Sequence, residues 1–213
     1  MTVAFDLDGT LITAAVKQSL LLQSVAYRFR RKVEASEIWI RKREGMSNQK
    51  TLIDLGVDSS VAEAISSAWR MAIETPYWLS LDTVVDGAKH LLSLVAASGD
   101  ACILVSARSN AYLFRQQVYQ LGLRPYFAEI FCVSPANAAA EKADVLNKSG
   151  SGLLVGDSEV DYDAARLAGV RFEAVATGQR SATFLNGCGV PRVHATLLEI
   201  ANALDGRPHE ETR

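Results

Sequence analysis

Short apolar runs rich in strand formers recur along the chain at "TVAFDLD" (2–8), "ACILVS" (101–106), "EIFCV" (129–133), "GLLVG" (152–156) and "RFEAVA" (171–176). Each is bounded by Gly, Pro or polar residues, and runs of this length and makeup predict strands buried on both faces. Between them stand stretches whose apolar residues return every three or four positions: "GAKHLLSLVAAS" (87–98), "NAYLFRQQVYQLG" (110–122), "AAEKADVLNKS" (139–149), "DYDAARLAG" (161–169) and "ATLLEIANAL" (195–204). Strand and helix in strict alternation predict an α/β fold, a Rossmann-like parallel sheet with helices on both faces.

One stretch breaks the alternation. From residue 14 to about 75 the pattern is helical throughout, in "AAVKQSLLLQSVAYRF", "SEIWIRKRE", "SNQKTLIDLG" and "DSSVAEAISSAWRMAIE". Ser47 and Asp58 stand where N-caps belong, and Gly45 and Gly56 where helices stop. The first strand belongs to the sheet, so residues 13–79 are predicted to be a helical insertion into a core made of 1–12 and 80–205. The polar tail 206–213 is expected to fray.

Composition changes this picture little. The 213 residues are 49% hydrophobic, with 22 Lys+Arg against 24 Asp+Glu, an ordinary globular balance that gives no sign of a nucleic-acid partner. The charge is uneven, though: between residues 17 and 50 there are nine bases and three acids. That segment is either a solvated helix face or a field attracting an anionic substrate. Cys102, Cys132 and Cys188 show no paired metal spacing, and two of them lie in strand-like runs, as structural thiols of a reducing compartment would. The longest apolar stretch is interrupted by Gly99 and Asp100, and no leader fits ahead of the first strand. A cytoplasmic protein that does not engage membranes is therefore expected.

The candidate chemistry lies at the strand ends. In parallel α/β sheets ligands bind beyond the carboxyl edges of the strands, where this chain places Asp6 and Asp8, then Ser106, then Asp157. Strand alternation would put Asp6 and Asp8 on one side, and Gly9 permits a tight turn and close backbone approach. No glycine-rich dinucleotide turn follows the first strand, which argues against a nucleotide-dependent dehydrogenase.

The segments "FDLDGT", "ILVSAR", "EKADVL" and "LLVGDSEVDYDAARLAG" resemble, in order and spacing, the four motifs of the haloacid dehalogenase superfamily, and specifically its phosphoglycolate phosphatase-like members with a helical cap domain between the first and second motifs. The resemblance implies a phosphatase acting on a small phosphorylated metabolite. Asp6 would be the nucleophile that forms an aspartyl-phosphate, and Asp8 the general acid and base. Mg²⁺ would be held by Asp6, the Asp8 carbonyl and Asp157, with Asp161 orienting a water or helping to hold the ion. Ser106, Lys142 and the Gly9 turn would bind phosphate, Lys142 being preferred to Lys148. The insertion would be a mobile cap, reaching the substrate through "REGMSNQK" with Arg43, Ser47, Asn48 and Lys50 as candidates. Arg108 could touch substrate or lie on the surface, Glu159 and Asp163 read as solvent acids, and Trp39, Trp69, Tyr77 and Trp78 as cap core. Asp8 points to phosphate esters, since dehalogenases of this fold lack that acid; a sugar phosphomutase and a catalytically silent binding module are the alternatives.

Overall fold

The computed structural model describes residues 1–205; the stretch expected to fray, 206–213, lies outside the described residues. Six strands, β1 (Thr2–Phe5), β2 (Ala101–Ala107), β3 (Glu129–Val133), β4 (Ser151–Gly156), β5 (Arg171–Val175) and β6 (Val193–His194), form one parallel sheet in the order β3-β2-β1-β4-β5-β6. The order reverses between β1 and its neighbours β2 and β4, and at such a switch point the connecting helices leave to opposite faces and open a crevice at the carboxyl edge.

Both sheet faces are buried, which is why the strands read as continuous apolar runs. Val3 and Phe5, Cys102 and Leu104, and Leu153 and Val155 enter one core cluster; Ala4, Ile103, Val105 and Leu154 enter the other. The helices α6 (Ala88–Ala97), α7 (Ala111–Gln120) and α11 (Leu197–Asp205) cover the first face through Leu91, Phe114 and Ile200. The second is covered by α8 (Ala138–Lys148), α9 (Glu159–Ala168) and α10 (Ala182–Gly187) through Leu146, Ala164 and Leu185. A one-residue shift in any strand would exchange these two sets.

Between β1 and β2 the chain builds α1 (Ala15–Arg28), α2 (Ala35–Arg43), α3 (Asn48–Asp54), α4 (Ser59–Ala72) and the short α5 (Pro76–Leu79). Leu21, Leu22, Val25, Ile38, Leu52 and Ile65 form a third apolar cluster drawn from this segment alone. The two connections to the core run side by side: the Thr13 amide donates to the Thr83 carbonyl at 2.8 Å, and the Val85 amide to that of Leu11 at 2.9 Å.

Some local expectations differ from the structure. Ser47 caps α3, its hydroxyl accepting from the Lys50 amide, but the Asp58 carboxylate makes no cap bond and pairs instead with Arg31 at 3.0 Å. Helix α9 starts at Glu159, two residues earlier than the pattern suggests, because Ser158 caps it. Neither α10 nor the two-residue β6 was expected; both are too short to carry a periodic signal.

Candidate active site

Asp6 directly follows β1, Ser106 lies near the end of β2 and Asp157 directly follows β4, so the switch point gathers all three. They line a cavity of about 580 Å³ between the sheet edge and the helical segment. Its far wall comes from α2 to α4, with Lys42, Ser47, Asn48, Trp69 and Arg70. The helical segment is anchored on the core from two sides. The Arg43 guanidinium donates to the carbonyls of Ala176 and Gly178 at 2.9 and 3.0 Å. Opposite, the Glu74 carboxylate accepts from the amides of Ser109 and Asn110 at 2.8 and 2.7 Å.

Three buried carboxylates, Asp6, Asp157 and Asp161, bring oxygens within 4.8 Å of one another. The one cation bonded to this group among the described residues is Lys142, on α8, whose ammonium lies 2.6 Å from Asp6 Oδ1 and 2.5 Å from Asp161 Oδ1. Lys148, its rival in the sequence, is exposed at the end of the same helix. Asp161 also accepts from the Ser158 hydroxyl at 2.6 Å. Asp157 accepts from the Gln179 amide at 2.6 Å and the Thr10 hydroxyl at 3.2 Å.

One lysine does not balance three acids. Burial pushes the Asp6 carboxyl up to about 7 despite the opposing pull of Lys142, with the charges of Asp161 and Asp8 adding to the rise. Asp157 rises well above the usual carboxylate range, first through burial and then through Asp6 and Asp161. A divalent cation among these oxygens would remove the deficit, and an all-oxygen donor set suits a hard ion. The trio therefore fits a divalent metal.

The Asp8 side chain is not part of that group. Strand β1 ends at Phe5, so its alternation does not extend to residue 8. Asp8 and Asp6 line the same cavity but are held by different partners. Arg108 donates to both Asp8 oxygens, at 2.6 and 2.7 Å, and Lys17 to one at 3.1 Å. Burial alone would raise this carboxyl, yet the two cations hold it well below the usual range. Arg108 is buried, so its surface reading is overturned: a charge-paired guanidinium replaces solvent. The Arg108 guanidinium also donates to Gln117 at 3.1 Å, Gln117 donates to Asp82 at 2.8 Å, and Lys17 donates to Asp82 at 2.5 Å. This closed, buried polar ring joins Asp8 to both connections of the helical segment.

Of the insertion residues expected to face substrate, Ser47 and Asn48 line the cavity while Arg43 and Lys50 do not. The Arg43 head is spent on backbone carbonyls, and Lys50 is exposed on α3. The basic stretch is thus not one field: Arg41 pairs with Glu37 and Asp54, both at 2.6 Å, and Arg31 with Asp58. Trp69 both packs against the apolar cluster of the insertion and lines the cavity. Glu159 is no solvent acid, since Arg180 grips both its oxygens at 2.5 and 2.6 Å. The thiols are unpaired, and burial lifts that of Cys102 to about 11, as an inert structural residue requires.

Sequence reasoning missed Lys42 as a cavity residue. It is buried, its ammonium 2.6 Å from Asn48 Oδ1 and 5.0 Å above the Trp69 ring. Burial, then the charge of Arg180, push it down to about 7 from its ordinary 10.5. Below pH 7 the folded protein therefore carries the whole penalty of a buried charge. As pH rises from 7 toward 10.5, the unfolded chain keeps a proton that the folded protein has lost, and the penalty vanishes. Wild type should accordingly gain melting temperature relative to Lys42→Met between pH 7 and 10, and parallel curves would contradict this.

Gly178 was also missed. A Cβ there would run into the Asp157 carboxylate and the Gly9 carbonyl, while Gly9, with φ of +86°, turns the chain beneath the same carboxylate. Gly178→Ala must therefore displace Asp157. It should weaken divalent-metal binding by about 10-fold or more, measured as the divalent-cation concentration that half-stabilises the protein; an unchanged midpoint would contradict the role of this contact.

Residues 3–175 match the family model for haloacid dehalogenase-like hydrolases. The chain belongs to that family. No curated protein matches it. Among solved structures, a Clostridium acetobutylicum protein named as a phosphatase is 19% identical, with 97% of this chain and 98% of that one covered at a TM-score of 0.74. A Lactobacillus delbrueckii protein named for phosphoglycolate phosphatase is 17% identical, with 97% and 98% covered at 0.73. A Thermotoga maritima protein named for β-phosphoglucomutase is 18% identical, with 96% and 98% covered at 0.67. At such identities these neighbours establish the shared fold. The family membership identifies a hydrolase, and among the described residues no helix is long and apolar enough to cross a membrane.

Proposed function

We propose that the protein is a Mg²⁺-dependent phosphatase that hydrolyses small phosphate monoesters through an aspartyl-phosphate on Asp6. The observation that carries the reading is the setting of Asp6, held by Lys142 through Oδ1 and grouped with two further carboxylates. Its Oδ2 accepts no hydrogen bond among the described residues and lies free for attack. The phosphatase and phosphoglycolate phosphatase names of the structural neighbours agree with it.

In the first step Asp6 Oδ2 forms a bond to phosphorus as the ester P–O bond breaks, and the leaving oxygen takes a proton from Asp8. In the second, the Asp8 carboxylate removes a proton from water, whose oxygen bonds to phosphorus while Asp6 departs as carboxylate. Arg108 and Lys17 hold Asp8 in the ionised form the second step uses; the first requires its carboxyl to leave these cations and gain a proton. Lys142 orients Asp6 and, with Ser106, donates to phosphate oxygens where negative charge collects. Asp6, Asp157 and the Asp8 carbonyl, supported by Asp161, would hold the metal. When bound, it offsets the repulsion between the Asp6 carboxylate and a phosphate dianion. The helical insertion acts as a cap that keeps bulk solvent from the site while leaving room for the one water that Asp8 activates.

The test is phosphate release from p-nitrophenyl phosphate and a panel of sugar and hydroxy-acid phosphates, with Mg²⁺ and with chelator. Release is expected with Mg²⁺ and should vanish on chelation. At a concentration about 100-fold above its dissociation constant, Mg²⁺ should also stabilise the fold by about 2.7 kcal/mol, and Asp157→Asn should remove that gain. Release indifferent to chelation would refute the metal assignment. Isomerisation of a sugar phosphate in the presence of its bisphosphate, without net release, would favour the mutase.

A further inference from the structure

The described residues line a second cavity, of about 450 Å³, that shares no residue with the wall of the first. One bank is formed where β5 starts and the chain approaches β6, with Arg171, Phe172 and Arg192; the other is the facing side of α9, with Tyr162 and Arg166. In a parallel sheet all strands begin at one edge, so this groove lies at the edge opposite to the ends that carry Asp6 and Asp157. A molecule bound here cannot be attacked by Asp6.

Three guanidinium groups gather at this groove. Arg171 and Arg192 both reach the same oxygen of Glu173, Oε1, at 3.3 Å, while its Oε2 is taken by the His194 ring at 2.8 Å. The Glu173 side chain is 4% exposed and both arginines are more than half exposed, so the carboxylate anchors them and leaves most of their N–H groups facing outward. Two like charges drawn to one oxygen repel each other, and a bound anion would relieve that. Arg166 meets Asp163 at 3.6 Å, but both side chains are exposed and such a pair contributes little. The backbone adds a donor. Strand β6 pairs with β5 only at Ala174 and Val175, and the amides of Ala174 and Ala176 donate toward it, to the carbonyls of Arg192 and His194. Every second amide of a strand faces the same way, so that of Phe172 points out of the same edge, beyond the start of β6.

The α9 bank is flat and aromatic. The Tyr162 and Phe172 rings meet with centroids 5.7 Å apart, and the Tyr162 hydroxyl donates to the Gly189 carbonyl at 2.8 Å, which fixes its ring. The Arg166 guanidinium lies 5.7 Å from the centre of the Tyr162 ring, a planar cation whose other face is open to a second ring. Guanidinium groups with a backbone amide suit phosphate oxygens, and a guanidinium plane backed by an aromatic ring suits a conjugated heterocycle. The volume is that of a small-molecule site, well below what a protein partner would cover. We propose that this groove binds a nucleoside phosphate as an effector, its phosphates at Arg171, Arg192 and the Phe172 amide and its base against Arg166 and Tyr162.

The experiment is calorimetric titration of the whole protein, with chelator present, by ADP, GDP, CDP and UDP, by pyrophosphate and by the four nucleosides. At least one nucleoside diphosphate should bind about 10-fold or more tightly than both pyrophosphate and its own nucleoside. Arg171→Gln and Arg192→Gln should each weaken that nucleotide and pyrophosphate alike, by about 10-fold, whereas Arg166→Gln should weaken the nucleotide more than pyrophosphate. Arg192→Lys, which keeps the charge, should retain part of the affinity, and melting curves check that every variant folds. Binding is read directly, so the result stands whether or not the protein hydrolyses esters. No binding of any nucleotide at millimolar concentration overturns the site. Binding that Arg171→Gln and Arg192→Gln both leave untouched also overturns it, since the nucleotide then sits elsewhere, as in the strand-end cavity. Pyrophosphate binding as tightly as every nucleotide removes the ring from recognition, and the nucleotide assignment with it.

Discussion

Asp6→Asn should fold and bind esters yet release phosphate at least about 10⁴-fold more slowly than wild type. The amide keeps the size of the carboxylate and can still present its oxygen to Lys142, which retains Asp161 at 2.5 Å as partner. What it lacks is the charge that makes an oxygen nucleophilic toward phosphorus. Removing one of three crowded carboxylates also relieves repulsion, so the variant should melt no lower than wild type in the absence of metal. Phosphate release by the variant at a comparable rate would mean that water attacks the ester directly. A lower melting temperature would mean that the Asp6 to Lys142 pair matters more to the fold than the crowding does.

Lys17→Met should be the most destabilising single change in the polar ring, by about 3–5 kcal/mol, or roughly 10 °C in melting temperature for a chain of this size. The lysine is 2% exposed and joins Asp8, in the turn beyond the first strand, to Asp82 on the return connection. Without it, Asp82 keeps only the Gln117 amide at 2.8 Å; its Oδ1 already has no partner, and burial already raises its carboxyl. An uncompensated buried charge is costly in a way that an apolar pair is not. Hence Lys17→Met combined with Asp82→Leu should recover most of the loss. If the double variant is as unstable as the sum of its parts, the ring owes its stability to packing rather than to charge. Because the ring clamps both connections, the single variant should also become more sensitive to proteolysis around residues 13 and 83.

The parts of this site that read directly from the sequence are those that secondary structure alone delivers. Asp6 and Asp157 end apolar runs, and a parallel sheet brings such ends together whatever the surrounding detail. Ser106 follows the same rule. The preference for Lys142 over Lys148 agrees with the helix geometry, since only the former faces the sheet edge while the latter is exposed in the last turn.

The missed residues share a different physical origin. Lys17, Lys42 and Asp82 acquire meaning only when the helical segment folds back over the strand ends, and no spacing encodes that contact. Gln179 contributes a backbone amide, which any side chain could accompany, and Gly178 is informative only once Asp157 is seen against its Cα. Arg108 read as a surface residue because an arginine two positions beyond a strand serine ordinarily reaches solvent; here the ring of partners draws it inward. The insertion itself was legible as helical from its periodicity, whereas which of its basic residues point into the cavity was not.

The covalent intermediate is the claim on which the rest depends, and chemical trapping reaches it most directly. Wild type is mixed with a hydrolysed ester and Mg²⁺, quenched in acid within a turnover, reduced with borohydride and digested for mass spectrometry. A phosphorylated aspartate is reduced to homoserine, so homoserine is expected at position 6, only when substrate was present. Unmodified Asp6 in enzyme caught while releasing phosphate, or homoserine at another acid, would contradict it.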